Sequence, residues 1–311
     1  MGPQKRLAEL QQKYAGRPQR TKAAAGESPV QMLPQWSDEV RGAPNVALRS
    51  ALFSATMKHS HQFLERQSIH AQKGYSIFYS GPKLDQMDLD VWESVLHIAR
   101  EKPLGHKFDV TAYRLLKLLN NSDSGKNRDT LNRHLSRLKA TALEIRVGHR
   151  AYMGSLIDDV ERNEVTRHYV IRLNPGLQIL FESDQFTLLD WSVRLQLRGK
   201  PLSQWLHGYY SSHAAPFPVA ITTLYKLCGS QAAEVSKFTQ TLKAALAQLA
   251  AIYKANGQKF QYEVLNGCVH VSKTPSGSQR RHLDRRQGDK SSTVPLGIHA
   301  VPGGGLSRSS R

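Results

Sequence analysis

Cysteine is nearly absent: Cys228 and Cys268 are the two in 311 residues. Two thiols cannot build a disulfide framework, and such thrift is expected of a chain kept in a reducing compartment. No apolar run approaches the roughly 18 residues that a membrane-spanning helix needs. The opening MGPQKRLAELQQKYAG has no apolar stretch of the kind a secretory signal carries. A soluble, cytoplasmic protein is therefore expected. Phosphate-cradling loops are also missing, since neither GxxxxGKS/T nor a GxGxxG after a strand occurs. The 13 histidines show no zinc-ligand spacing with the cysteines, so no metal or cofactor is expected. The aromatic motifs of RNA-binding sheets are absent too.

Acidic residues are in deficit. Against 25 Asp and Glu stand 43 Lys and Arg, a formal net charge of +18. Such an excess points to a polyanion, most often nucleic acid. Residues 1–29 carry six bases and two acids, and residues 274–311 carry seven and two, which leaves +9 for the body between them. Within that body, the window from Lys126 to Arg150 holds seven bases and two acids, so the charge forms a patch. With an apolar share of 40% the body can build cores. The polar, weakly periodic ends 1–29 and 274–311 read as a disordered basic arm and a disordered basic tail.

Periodicity organises the body. Leu84, Met87, Val91, Val95 and Ile98 recur at helical spacing and predict a helix from Leu84 to Glu101, stopped by Pro103 and Gly105. A strand from Lys107 to Val110 follows, then a helix from Thr111 to Leu119 with Thr111 as its cap. A polar turn leads to a longer helix from about Arg128 to Leu143. Alternating EIRV, AYMGSLI and HYVIRL then predict one small antiparallel sheet, with GHR and DVERNEVTR as its turns.

The order returns later as a helix over Pro201 to Ser212, the extended PFPVA and a helix over Thr222 to Leu227. A helix over Val235 to Ile252 comes next, then two strands joined by Asn266-Gly267, a strong hairpin signal. Phe108, Val110, Leu115, Lys117 and Leu118 recur 109 residues on, as Phe217, Val219, Leu224, Lys226 and Leu227. The long helices align at an offset of 107, pairing Leu131, Leu135, Leu138, Ala142 and Ile145 with Phe238, Leu242, Ala245, Leu249 and Ile252. This internal repeat predicts an α+β chain of two tandem winged-helix domains. The first occupies residues 30–200 with an N-terminal segment, and the second residues 201–273.

A winged helix places its third helix in the major groove of duplex DNA, with the hairpin on phosphates or the minor groove. In the first unit, Leu131, Leu135, Leu138 and Ala142 are the expected buried stripe. Arg128, Asn132, Arg133, Ser136 and Arg137 are the expected DNA face, with Lys139 on its flank. Arg133 and Arg137 are four apart and project together, and neither has a carboxylate four residues further on in the helix to pair it. Arginine forks match guanine O6 and N7. In the second unit Val235, Phe238, Leu242, Ala245, Leu249 and Ile252 form the stripe. The exposed arc is Ser236, Lys237, Gln240, Thr241, Lys243 and Ala244, with Lys259 and Lys273 as backbone contacts from the wing.

Catalytic signals are poor, and no enzymatic activity is expected. His59-Ser60-His61 imitates the metal-binding histidine pair of rolling-circle nicking enzymes, which use a tyrosine nucleophile. Its middle residue is polar, and Tyr209 of the Tyr209-Tyr210 pair looks like core. A transcriptional repressor of the same fold remains open, because fold does not decide between two DNA-binding roles. Leu48 to Phe53 and Leu84 to Ile98 fit either a dimer surface or the first core.

Four blocks carry a family resemblance: PNVALRSALFS (Pro44 to Ser54), DVWESVLHIA (Asp90 to Ala99), SRLKATALEI (Ser136 to Ile145) and YYSSHAAPFPVAITTLYKLCGS (Tyr209 to Ser230). In this order they resemble the TrfA family of plasmid replication initiators, from about Leu33 to Lys273. The resemblance implies a bacterial initiator that binds direct repeats (iterons) at an origin and helps open adjacent AT-rich DNA. It further implies recruitment of host DnaA, DnaB helicase and the sliding clamp, and monomer–dimer exchange that sets copy number. The family's clamp-binding pentapeptide has the form Gln-Leu-Ser/Asp-Leu-Phe. Its counterpart here, Gln31-Met32-Leu33-Pro34-Gln35-Trp36, breaks that spacing and reads rather as a hydrophobic anchor.

Overall fold

Buried apolar side chains fall into two clusters, and the chain passes from one to the other between Trp191 and Val193. The computed structural model describes residues 31–56 and 62–291. The basic arm at 1–29 and the pair His59 and His61 lie outside the described residues.

The first unit opens with β1 (Val40–Pro44) and one helical turn, α1 (Asn45–Leu48). Strand β2 (Phe53–Ser54), the hairpin of β3 (Phe63–Ile69) and β4 (Tyr75–Pro82), and β5 (Leu84–Asp85) lead to α2 (Gln86–Ala99). Then come β6 (Lys107–Thr111), α3 (Ala112–Leu118) and α4 (Gly125–Lys139). Two hairpins follow, β7 (Ala142–Val147) with β8 (Arg150–Gly154), and β9 (Asp159–Arg162) with β10 (His168–Arg172). A 3-10 helix (Pro175–Phe181) and β11 (Phe186–Asp190), which pairs with β1, close the unit.

The second unit comprises α5 (Trp191–Gln196), α6 (Pro201–Ser211), β12 (Val219–Ala220), α7 (Ile221–Leu227), α8 (Val235–Ala255), β13 (Phe260–Leu265) and β14 (Cys268–Lys273). A final helix, α9 (Gly277–Ser291), follows. Helix, strand, helix, helix and hairpin thus occur twice, as the repeat predicts. The correspondence extends to strand pairing: β6 joins β10, which joins β9, just as β12 joins β14, which joins β13.

Local chemistry explains these boundaries. Asp85 caps α2 by accepting from the Met87 and Asp88 backbone, while Asp88 accepts in return from the Asp85 backbone, a reciprocal capping box. Thr111 caps α3 as expected, accepting from Arg114 at 3.0 Å. Asn266 and Gly267 both take positive φ, 49° and 71°, as a two-residue hairpin turn demands.

The N-terminal anchor is also realised. Leu33 and Trp36 are buried in the first core, and Trp36 Nε1 donates to His97 Nδ1 at 3.0 Å. A Cβ on Gly42 would lie 2.8 Å from the Trp36 ring, so only glycine admits this contact. Leu48, Phe53 and Leu84 are core as well.

Several expectations are corrected. EIRV and AYMG do not share a sheet with HYVIR. The β7–β8 hairpin extends β3–β4 into a four-stranded sheet, and β9–β10 pairs separately with β6. Helix α4 starts earlier, at a Ser124 cap, and ends at Lys139. Ala142 is therefore an exposed strand residue, where alternation overrides helical spacing, and the long-helix alignment fails beyond Leu138 and Ala245. Phe217 is 79% exposed where its counterpart Phe108 is buried. The second core begins at Val193 rather than at 201, because Val193 and Leu197 face it. Lastly, residues 277–291 of the expected structureless tail are helical.

A buried polar network joins the units. Arg194 on α5, with a side chain 0% exposed, donates Nε to Asp90 Oδ1 of α2 at 2.6 Å. Glu93, on the same helix, lies 3.8 Å from that nitrogen, and neither of its oxygens has a hydrogen-bond partner. Burial pushes the Glu93 pKa up to about 8, against the attraction of Arg194. A carboxyl with a raised folded pKa contributes stability below its unfolded value of 4.5 and loses it as pH rises toward 8. Wild-type stability should therefore decline by a few kcal/mol, in order of magnitude, between pH 5 and pH 8.5 from this group. Glu93→Gln should remove that part of the slope in urea titrations at the two pH values. Parallel slopes for the two proteins would contradict it.

Candidate nucleic-acid interface

Helix α4 buries Leu131, His134, Leu135 and Leu138. Three of these were expected; His134 takes the place assigned to Ala142. Spacing alone could not single it out, because its burial depends on an acid from another helix. His134 Nδ1 lies 2.7 Å from Oδ1 of Asp88 on α2, whose side chain is 0% exposed. Burial alone would raise the Asp88 pKa, yet the hydrogen bonds and charges of His134 and Arg137 outweigh it and hold it below the ordinary value. Asp85, Asp88 and His134 offer atoms within 4.8 Å of one another, a spacing compatible with a metal. Arg137 Nη2, at 2.7 Å from Asp88 Oδ1 and 2.6 Å from His134 Nδ1, already supplies a positive charge there.

This cluster revises the proposed DNA face. Arg137 is not free beside Arg133: its side chain is 15% exposed and its fork grips Asp88. Arg128 is likewise engaged, donating Nε and Nη2 to Asp123 at 2.6 Å each. The expectation of unpaired arginines held within the helix and failed across it, since both partners lie outside α4. Lys139 donates to the Asp158 carbonyl at 2.8 Å. Asn132 accepts from the Tyr169 hydroxyl of β10 at 3.2 Å. Arg133 and Ser136 face solvent, and among the described residues Arg133 contacts only the Thr130 hydroxyl, at 2.9 Å.

The β9–β10 hairpin stands beside this face. A groove lined by Asn132, Ser136 and Lys139 of α4 and by Val160, Arg162 and Glu164 separates the two. At its tip, Asn163 Oδ1 accepts from the Val165 and Thr166 backbone and leaves Val165 90% exposed, between Arg162 and Arg167. From the sequence DVERNEVTR reads as a plain charged turn, which leaves these side chains outside the expected site. The signal was the charge alternation of the run, now seen to flank an exposed apolar tip.

In the second unit Ser236, Lys237, Gln240, Thr241, Lys243 and Ala244 are all exposed on α8, as expected. The buried stripe is Phe238, Leu242, Ala245, Leu246, Leu249 and Tyr253. Val235 is exposed and Ile252 half-buried instead. Two hydroxyls have local partners: Ser236 donates to Glu234 and Thr241 to the Lys237 carbonyl. Thr241 and Ala244 also border a cavity of about 510 Å³ beside Cys228, Phe238 and Gln248.

The two wing lysines sit away from the hairpin tip. Both lie at the base of the hairpin, remote in register from the Asn266-Gly267 turn. Lys259 precedes β13 and is exposed. Lys273 donates to Gln279 Oε1 of α9 at 2.8 Å, and burial pulls its pKa down to about 8.

Two units of one topology, each turning one helix to solvent with a hairpin folded after it, define the class of this molecule. The model of the TrfA protein family matches residues 13–259, and the chain belongs to that family. It is 31% identical over 222 residues to the plasmid replication initiator protein TrfA of Escherichia coli, covering 69% of this chain and 58% of that protein. The chain thus spans little more than half the length of that relative. The crystal structure of domains 2 and 3 of RctB has a similar fold, with a TM-score of 0.53 at 14% identity, covering 75% of this chain and 98% of that one.

Removing the Asp88 charge should be costly, because it strands the positive charge of Arg137. Asp88→Asn should destabilise the protein by about 3–5 kcal/mol at neutral pH. Because the Asp88 pKa is depressed, its contribution is present above the ordinary value of 3.8 and lost as pH falls through the folded one. Thermal melts should show the gap between the two proteins closing on acidification below pH 4. Equal melting at pH 7 would contradict the pairing.

Proposed function

We propose that this chain is a plasmid replication initiator that binds double-stranded DNA sequence-specifically through two winged helices. The observation that carries the reading is the duplicated unit, strand pairing included, in a member of the TrfA family. In each unit the third helix, α4 or α8, is the reading helix, and the hairpin β9–β10 or β13–β14 is the wing. Arg133 is the best-placed side chain for a base edge, and Gln240 and Lys243 are its counterparts on α8. Arg128, Arg137 and Lys139 are engaged by protein groups and act chiefly by fixing α4.

The site is read as direct repeats at the origin. If the two helices occupy successive major grooves, their centres fall about 10–10.5 bp apart. Opening AT-rich DNA requires no bond chemistry, because binding energy spent on bending or underwinding can melt flexible steps. Recruitment of host DnaA and DnaB helicase and monomer–dimer exchange complete the proposed role. Clamp recruitment through Gln31 to Trp36 is not part of it, because Leu33 and Trp36 are spent on the core. A non-enzymatic role is supported by burial of both candidate nucleophiles, Tyr209 at 3% and Tyr210 at 0% exposure.

Footprinting on the parent replicon's origin, coupled to permanganate probing of unpaired thymines, tests the reading. Protection of tandem repeats with reactive thymines in the neighbouring AT-rich tract is the expected result. Protection of an inverted repeat over a promoter, without melting, would make the protein a repressor instead.

Single substitutions separate readers from supports. Arg133→Ala should cost about 1–3 kcal/mol in specific binding and relax preference at one base pair, without lowering the melting temperature. Arg137→Ala should lower the melting temperature. Equal losses by Arg133→Ala on specific and random duplexes would demote Arg133 to a phosphate contact.

A further inference from the structure

Polar contacts, relayed through the backbones of α2 and α6, connect the two exposed helices. Asp88 and Asp90 are two residues apart on α2, so they leave that helix on nearly opposite sides. Asp88 holds His134 and Arg137 of α4. Asp90 holds Arg194 through one oxygen and Gln204 Nε2 of α6 through the other, at 2.6 and 3.0 Å. The Arg194 fork also donates to the Gln204 carbonyl at 3.0 Å and to Gln86 Oε1 at 3.1 Å. From α6 the contacts continue to α8, through Ser203 Oγ to Gln248 Oε1 at 2.8 Å and His207 Nδ1 with the Tyr253 hydroxyl at 2.9 Å.

Close packing reinforces the joint. Trp205 Nε1 donates to the Ser50 carbonyl across the units, and a Cβ on Gly208 would lie 2.9 Å from Leu48 Cδ2. Rotating one unit against the other would strip Arg194, whose side chain is fully buried, of the one carboxylate that stands at hydrogen-bond distance from it among the described residues. An unpaired buried charge is among the costliest defects a protein can carry.

We propose that the Asp90–Arg194–Gln204 junction is a ruler: it fixes the separation of the two reading helices and thereby sets the spacing of the two half-sites that one chain accepts. The inference rests on the functional reading above. Arg194 and Asp90 act as positioning residues and touch no DNA. Their removal leaves each half-site's base preference in place and abolishes discrimination by spacing.

The test uses duplexes selected from a random pool by the full chain, resynthesised with one to five base pairs inserted between the two enriched blocks. Wild-type affinity should fall about tenfold with two inserted pairs, and further near five, where the second helix meets the opposite side of the duplex. The double variant Asp90→Leu with Arg194→Met replaces the ion pair by apolar groups of similar size, an exchange that buried pairs often tolerate. With native circular dichroism and unchanged affinity for a single block, its affinities should vary by no more than about threefold across the series.

Should that variant not fold, Arg194→Lys, which keeps the charge and loses the fork, is read on the same series and must flatten the profile. A wild-type protein indifferent to spacing, or a folded variant with the wild-type profile, would overturn the ruler. A pool that yields no enriched sequence would overturn the functional reading itself.

Discussion

The structure turns on one desolvated ion pair. Arg194 and Asp90 meet where the two cores abut, and the elements that present the exposed helices are anchored on either side of them. A buried pair of this kind contributes little net stability compared with an apolar substitute. What it imposes is geometry: the fork must face Asp90, Gln86 and Gln204 at once, and one arrangement of α2, α5 and α6 satisfies all of them. On the proposed function, two units on a loose tether would accept half-sites at any separation their linker spans, whereas two units locked at α2 present one fixed surface.

Helix α2 is therefore the keel of the molecule. It was legible as a helix from Val91, Val95 and Ile98, but its importance was not. Periodicity reports which residues are apolar, whereas this helix is buried all round and places Asp88, Asp90, Glu93 and His97 inside. Partners for Asp88 and Asp90 come from residues 46 to 114 positions away, and nothing in local spacing announces them. For the same reason Arg137 looked like a DNA ligand. Helical phase put it beside Arg133, and only the tertiary fold reveals that Asp88 claims it.

Other features were legible because their causes are local. The Thr111 cap, the Asn266-Gly267 turn and the apolar spacing of Leu131, Leu135 and Leu138 on α4 and of Phe238, Leu242, Ala245 and Leu249 on α8 each arise from a few adjacent residues. The second exposed arc, Ser236 to Ala244, matched for that reason. Misreadings cluster where non-local pairing decides. The β7–β8 hairpin belongs to β3–β4 rather than to the wing, and the exposed Val165 tip is displayed by a turn that Asn163 closes. Lys273 was placed on a wing strand correctly, yet at the end where α9 covers it.

We propose that the joined units hold Arg133 and the α8 arc exposed so that one chain reads duplex DNA at two places at once. Hydroxyl-radical footprinting of the isolated protein on a single origin repeat tests this most directly. Two clusters of protected sugars about one helical turn apart on one face of the duplex are the predicted result. A single protected cluster, unchanged when the α8 arc is substituted, would contradict it.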